Sequence, residues 1–300
     1  SVNSYIESAW RFRQGGSQIT SLLIRELRAL GVELFAENKA LAFEYREGKI
    51  YSVITSQQQK YIATDFVSDI DIKQLLSIAG RAHFRPAYYK RIEALTPVAG
   101  VFSLHLVLKK QSFPYLPYNI YWYRDSSQVW QATHYTTDTF PTTYMLSMNP
   151  PKDGGAYADN MTILTYMNAQ ELSQWENSTH TLTAPQGRGV DYKGFKAQKA
   201  QQLLEVVYQR FPQLKGCIVA QYTATPLTYR DYIGNPTGAI YGYEKNILRT
   251  RQNHIMPQTH IPNLYVTGQS VNMHGLVGVT IGAVLTSMAL LGGKIKGIGE

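Results

Sequence analysis

The residues best suited to chemistry lie near the carboxyl end of the chain. Ile261-Pro262-Asn263-Leu264-Tyr265-Val266-Thr267-Gly268-Gln269 reads as a short apolar strand ending in glycine, and His274-Gly275-Leu276-Val277-Gly278-Val279-Thr280-Ile281-Gly282-Ala283 reads as a glycine-rich helix start. Such a start presents free backbone N–H groups and the positive end of the helix dipole, which suit an anionic or electron-rich ligand edge. Glycines there let a ligand approach the backbone closely. Tight helix-on-sheet packing accounts for Gly275, Gly278 and Gly282 equally well. A GxxxG membrane pairing of Gly278 with Gly282 is the weaker reading, because the apolar run is short. His274, beside these glycines, is a candidate proton donor; the competing reading is a structural histidine bonding a loop carbonyl.

Little else in the sequence could support metal or thiol chemistry. There are seven His and one Cys, with no CxxC and no HExxH. Cys217, in the apolar stretch Gly216-Cys217-Ile218-Val219-Ala220, reads as a buried strand residue, and a chain with no internal disulfide fits a reducing compartment. Tyr118, Tyr121, Trp122, Tyr123, Trp130, Tyr135, Tyr144 and Tyr166 could together wall an apolar tunnel, although each one singly reads as core.

The formal charge of +8 raises nucleic acid or an anionic membrane surface as partners. The basic residues are scattered, and Lys193, Lys196 and Lys199 read as a solvated helix face, so no nucleic acid is expected. Peripheral contact with a membrane stays open. The apolar run from Leu276 to Leu291 is 16 residues long, short of the roughly 20 needed to span a bilayer, and reads as a buried helix. Ser1 to Tyr5 has neither a charged nor an apolar leader region, so the expected location is cytoplasmic.

These residues need elements to position them. Ile19, Leu22, Leu23, Leu27 and Leu30 repeat at helical spacing, with Ser17 as the expected cap and Gly31 as a left-handed stop. Strands follow at Val32 to Phe35, Ala40 to Tyr45, Ile50 to Thr55 and Tyr61 to Val67, with a turn at Arg46-Glu47-Gly48-Lys49. From about Ile92 the chain becomes rich in aromatic strands: Val101 to Lys109, Asn119 to Tyr123, Tyr144 to Asn149 and Met161 to Met167. A helix from Lys193 to Phe211 is stopped by Pro212 and covers one face of that second sheet. Ile218 to Tyr222 returns as a strand. The pattern predicts an α/β fold with α+β character, divided into a discontinuous domain at 1–91 with 223–300 and an antiparallel-sheet domain at 92–222.

Several of these segments together resemble the FAD-dependent oxidoreductases of the phytoene desaturase, carotenoid isomerase and retinol saturase family. The ending is similar to that family's "PNLYxTG" strand and glycine-rich helix start. Gly15-Gly16-Ser17-Gln18 with its helix resembles the family's "GG" helix, and Gly31 to Ile54 its "V..I....G.V..V" meander. Phe66-Val67-Ser68-Asp69 sits where the family has "VVSNA", and Tyr232 to Gly242 matches its "G.P.G..YG" block. Retinol saturase-like members look closest. Asp69-Ile70-Asp71 departs from the small polar turn, and no GxGxxG occurs.

The resemblance implies an FAD/NAD(P)-binding Rossmann-like domain with a β-meander, incomplete for want of its phosphate-binding segment, beside a substrate domain. The chain would be the C-terminal portion of such an enzyme. FAD would belong to the full-length protein, with weak or no binding to this portion alone, and NAD(P)H is a candidate electron donor. Position by position, Gly268, Gln269, Gly275, Val277, Gly278, Val279 and Thr280 would face the ribityl chain and pyrimidine end of the flavin, and Ala40 would approach the adenine. Tyr121, Tyr123, Tyr135 and Tyr241 would contact a lipophilic polyene or isoprenoid, and His274 would supply a proton. The implied chemistry is hydride exchange between flavin N5 and a C=C bond. An amine oxidase-like flavoenzyme and a non-catalytic lipid-binding relative are the alternatives. Arg230 and Asp231 read as loop charges without a role.

Overall fold

A computed structural model describes residues 10–13, 15–271 and 273–293; the Ser1 to Tyr5 stretch examined for a leader lies outside them. In chain order the elements are α1 (Ser17–Ala29), β1 (Ala40–Arg46), β2 (Lys49–Thr55), β3 (Lys60–Ile62), β4 (Phe66–Ser68), α2 (Ile72–Ala79), α3 (Pro86–Glu93) and β5 (Gly100–Leu108). They continue as β6 (Ile120–Tyr123), β7 (Thr143–Ser147), β8 (Asn160–Met167), α4 (Gly189–Arg210), β9 (Ile218–Ala224), α5 (Pro226–Ile233), α6 (Thr250–Asn253), β10 (Leu264–Val266) and α7 (Gly275–Leu290). Two compact units form: Ser1–Leu34 with Ala99–Tyr232, and Phe35–Val98 with Ile233–Glu300.

The first unit is a five-stranded antiparallel sheet in the order β6-β7-β8-β5-β9. Period-two alternation sorts its faces. Phe102, Leu104, Leu106 and Leu108 point inward from β5 and meet Met161 and Ile163 of β8, Tyr144 and Leu146 of β7, and Leu203, Leu204 and Val207 of α4. Each such side chain, fully buried, contributes about 1.5–3 kcal/mol. Helix α4 therefore covers one sheet face, as its periodicity predicts.

Lys199 departs from the solvated face expected of it. It is buried, with Nζ 2.6 Å from Glu171 Oε2 and 4.1 Å from the Phe140 ring centroid, since a buried ammonium requires a partner charge. Arg230 and Asp231 are likewise more than loop charges. The Asp231 carboxylate is buried, accepts from both Arg188 and Arg230, and takes the His180 backbone N–H at 2.8 Å. Cys217 is buried as expected, but it precedes β9 rather than lying in it.

The sequence boundaries differ from this division at both ends of the sheet unit. Arg11 donates to Met148 O and Asn119 Oδ1, both at 2.6 Å, which ties the start of the chain to the sheet unit. Leu227 of α5 joins the same core. Helix α1 starts from Gly16 with no side-chain cap, so Ser17 is not its cap. Its end matches the prediction: Gly31 has φ +77 and the Val32 N–H reaches Leu27 O at 3.0 Å.

The second unit contains the meander β1-β2-β3 and a parallel pair, β4 with β10. Glu47 (φ 50) and Gly48 (φ 76) make the left-handed two-residue turn that suits strand twist. Val32 to Phe35, expected as a strand, is irregular, and Tyr61 to Val67 is two strands in two sheets. Asn263 holds the sheets together: its Nδ2 donates to Ile50 O and Thr64 O at 2.8 Å, and its Oδ1 accepts from the Ile50 N–H at 3.0 Å. Helix α7 seats on β10 through Thr286, whose hydroxyl lies 3.0 Å from Val266 O. The expected burial of α7 does not hold: among its described side chains only Gly278 and Thr286 are buried, and Leu276, Val277, Ile281 and Leu285 are exposed. Among the described residues no helix is long and apolar enough to cross a membrane.

Candidate functional site at the carboxyl ends of the parallel strands

Strands β4 and β10 run parallel, so their carboxyl ends lie side by side, the edge where open α/β sheets receive ligands. The Thr267 N–H closes the pair on Ser68 O at 3.0 Å. Gly268 follows with φ +88, and a Cβ placed there would lie 1.7 Å from Asp69 Oδ1. Only glycine fits beside that carboxylate, and burial pushes the Asp69 carboxyl above the usual aspartate range. Gly242, with φ +73, comes so close to the same loop that a Cβ would sit 2.8 Å from Gln269 O.

Two helices start at this edge, and their starts differ. Helix α2 is capped by Asp71, which accepts the Lys73 N–H at 3.0 Å. The same buried carboxylate accepts from the Tyr243 hydroxyl at 2.8 Å and from Asn235 Nδ2 at 2.9 Å. Burial raises its pKa and outweighs the lowering by these bonds, while burial and the facing carboxylate push the Tyr243 phenol up. Helix α7 starts from His274 in extended backbone, with no side-chain cap. Its first residue, Gly275, has φ +73, and a Cβ there would meet nothing within 4 Å.

The glycines of the motif thus separate. Gly278 is a packing glycine, since a Cβ there would come 2.8 Å from Met273 Cβ and 3.0 Å from its backbone carbon. Gly275 and Gly282 face open space. Of the other cofactor-side residues, Val277 and Thr280 are exposed, and the Thr280 hydroxyl donates to Leu276 O at 2.8 Å. Val279 and Gln269 are half-buried. Lys245 braces the loop by donating to Val271 O at 3.0 Å, and burial lowers its pKa. A cavity of about 940 Å³, lined in part by Lys245, His254, Met273 and Leu285, adjoins α7.

His274 is exposed, and its ring stands 4.7 Å from that of Tyr241, so two residues named separately from sequence meet here. Ala40 opens β1 and pairs with Thr55 on the meander. In the sheet unit, Tyr121 and Tyr123 lie on the face of β6 away from α4. The Tyr135 hydroxyl is committed elsewhere: it donates to Glu171 and accepts the Asn168 N–H at 2.7 Å, and burial first, then Glu171, pushes its pKa up. Sequence reasoning missed the Asp71, Asn235 and Tyr243 cluster. Its one local signal was an aspartate two residues before Lys73-Gln74-Leu75-Leu76, a cap position for a short apolar helix.

No protein-family model matches the chain. It is 34% identical over 135 residues to the all-trans-retinol 13,14-reductase of Rattus norvegicus, a stretch covering 44% of this chain and 21% of that protein. A Danio rerio protein of the same name matches at 22% identity over 312 residues, covering 97% of this chain and 51% of the relative. An inactive all-trans-retinol 13,14-reductase of Danio rerio is 28% identical over 137 residues, 44% of this chain and 21% of the relative. The chain therefore spans about half the length of the relative that it matches along nearly its whole extent. Among solved structures, an oxidoreductase from Methanosarcina mazei superposes with a TM-score of 0.55 at 13% identity, over 93% of this chain and 55% of that one. Cyclohexylamine oxidase from Brevibacterium oxydans gives 0.52 at 11% identity, over 92% and 51%. Both share this chain's fold.

Proposed function

We propose, for a chain that is a relative of the all-trans-retinol 13,14-reductases, that it forms part of an FAD-dependent oxidoreductase acting on C=C bonds of a lipophilic polyene. The observation carrying this reading is the uncapped start of α7, where Gly275 leaves the backbone bare at the carboxyl edge of the parallel pair. The residues fit a flavin edge: first-turn N–H groups that the His274 side chain does not cap suit its electron-rich atoms, and a Cβ at Gly275 would meet nothing within 4 Å, which leaves the backbone open to a ligand. When bound, FAD supplies the hydride chemistry, at its N5.

The chain's own residues bind, orient and handle the proton. The start of α7 favours negative charge at its end, by up to about 2 kcal/mol in a partly buried site. Asp69 and Gly242 fix the loop 268–271 against which the ligand lies. His274, held against Tyr241, is the assigned proton donor to the carbon next to the one that exchanges hydride. NAD(P)H is the electron donor we assign, and a membrane surface, touched peripherally, is the source of the lipophilic substrate.

One observation favours a second reading. A relative at 28% identity carries the name of an inactive reductase, so the chain could belong to a lipid-binding protein without turnover. Anaerobic mixing separates the two. Flavin reduced chemically in the protein and then given retinol should reoxidise, and His274→Ala should slow this about a hundredfold. Bound flavin that stays reduced with retinol present would support the lipid-binding reading.

A further inference from the structure

Helix α3 points one face out of its core, and that face is cationic. Ile92 and, just beyond the helix, Leu95 are buried. Ala87, Lys90, Arg91 and Ala94 recur at the i, i+3, i+4 and i+7 spacing of a single helical stripe. They form one wall of a cavity of about 400 Å³. The segment that follows Tyr243 supplies more of the lining, with Glu244, Asn246, Arg249 and Asn253.

Both walls are held by bonds that leave most of the lining charges unused. The Glu244 N–H donates to Thr96 O at 2.8 Å, Asn246 Oδ1 accepts the Leu248 N–H at 2.8 Å, and Asn253 Nδ2 donates to Asn246 O at 3.1 Å. Arg91 is fixed by donating to His254 O at 2.6 Å, with its guanidinium 5.1 Å from the Tyr88 ring centroid. Carbonyls at the end of α3, which would repel an anion, are covered, because Lys73 Nζ donates to Glu93 O at 2.8 Å and to Leu95 O at 3.0 Å. Among the described residues, the side chains of Lys90, Glu244 and Arg249 enter no hydrogen bond and no ion pair. The lining thus carries three cations and one carboxylate, a surplus of two positive charges. A phosphate monoester, at about −1.5 to −2 near neutral pH, matches that surplus. The carboxylate only accepts hydrogen bonds, so it calls for a donor on the same ligand, which a hydroxyl supplies. A volume within the roughly 300–1,000 Å³ of small-molecule sites suits more than a bare phosphate ion.

We propose that this cavity binds a phosphorylated sugar, free or as part of a nucleotide. Lys90, Arg91 and Arg249 take the phosphate, and Glu244 accepts from a sugar hydroxyl. The site does not rest on the proposed function, since none of these residues is among those assigned to the flavin.

Calorimetric titration of the protein, purified from its complete gene, with ribose phosphate, adenosine monophosphate, ribose and inorganic phosphate tests this. Ribose phosphate should bind about tenfold more tightly than inorganic phosphate, which lacks the hydroxyls, and ribose alone should give no heat. Adenosine monophosphate binding more tightly than ribose phosphate marks a nucleotide as the source, and binding no more tightly marks a free sugar phosphate. Lys90→Ala and Arg249→Ala, both at exposed positions, should each weaken ribose phosphate about tenfold and keep the melting temperature. Glu244→Ala should bring ribose phosphate and inorganic phosphate to equal affinity. Unchanged binding in the two cation variants overturns the assignment, as does ribose phosphate that binds no better than inorganic phosphate, or no binding at all. Flavin uptake, read on the same variants, should be unaltered. Its loss together with that of adenosine monophosphate would put the ligand in the flavin's own site and also overturn the assignment.

Discussion

Helices α2 and α7 start at the carboxyl ends of adjacent parallel strands in one unit, yet the chain finishes the two starts in opposite ways. At α2 a buried carboxylate, Asp71, takes the first-turn N–H and is held by Tyr243 and Asn235. At α7 a histidine in extended backbone precedes a bare glycine, and the His274 side chain does not cap the turn. A helix start filled by its own carboxylate is a structural joint. On the proposed reading the other leaves its donors to a ligand, and that difference, more than the glycine pattern, is the reason for placing the candidate site there.

The largest effect expected from breaking the comparison is at the filled start. Asp71→Ala removes the cap and leaves buried Tyr243 and Asn235 groups unsatisfied, so urea denaturation should register a loss of about 3 kcal/mol. Two buried aspartates should also respond to acid with opposite signs. Asp71 titrates above the ordinary aspartate value of 3.8. The native state thus holds more protons there, and its contribution to stability falls as pH rises from 3.8 through the raised value. For Asp231, burial acts upward but the bonds from His180, Arg230 and Arg188 prevail and depress its pKa, so its contribution is lost as pH falls below 3.8 through the folded value. Denaturation followed across the acid range should lose the first slope in Asp71→Asn and the second in Asp231→Asn.

Making the open start resemble the filled one sharpens the comparison. His274 occupies the cap position in extended backbone, so His274→Asp should raise stability by about 1 kcal/mol. It should also weaken flavin uptake about tenfold, by placing a charge where a ligand edge belongs. The smallest effect is at Gly282, whose surroundings are open. Gly282→Ala should stabilise α7 by about 0.5–1 kcal/mol and leave flavin uptake unchanged. A loss of stability there would point to close packing instead.

The strong periodicities were legible from sequence. The β5 alternation, the α4 face and the Glu47-Gly48 turn all stand where the pattern placed them. Tyr61 to Val67 misled because the strand pattern continues while the partner changes, from β2 to β10. Helices α2 and α3 are eight residues each, too short for periodicity to separate from loop. Lys199 read as solvated because its partners, Glu171 and Phe140, are remote in sequence. At the site, the glycine-rich stretch was visible, but not which glycine packs and which stays bare, since that depends on where Met273 folds back.

The most direct test is the visible absorption spectrum of the protein purified from its complete gene, unaltered and as His274→Asp. The account predicts flavin in the first and about tenfold weaker flavin uptake by the second, with the melting temperature of the variant no lower. Equal flavin in both proteins would contradict it, and so would an unaltered protein that takes up no flavin when supplied.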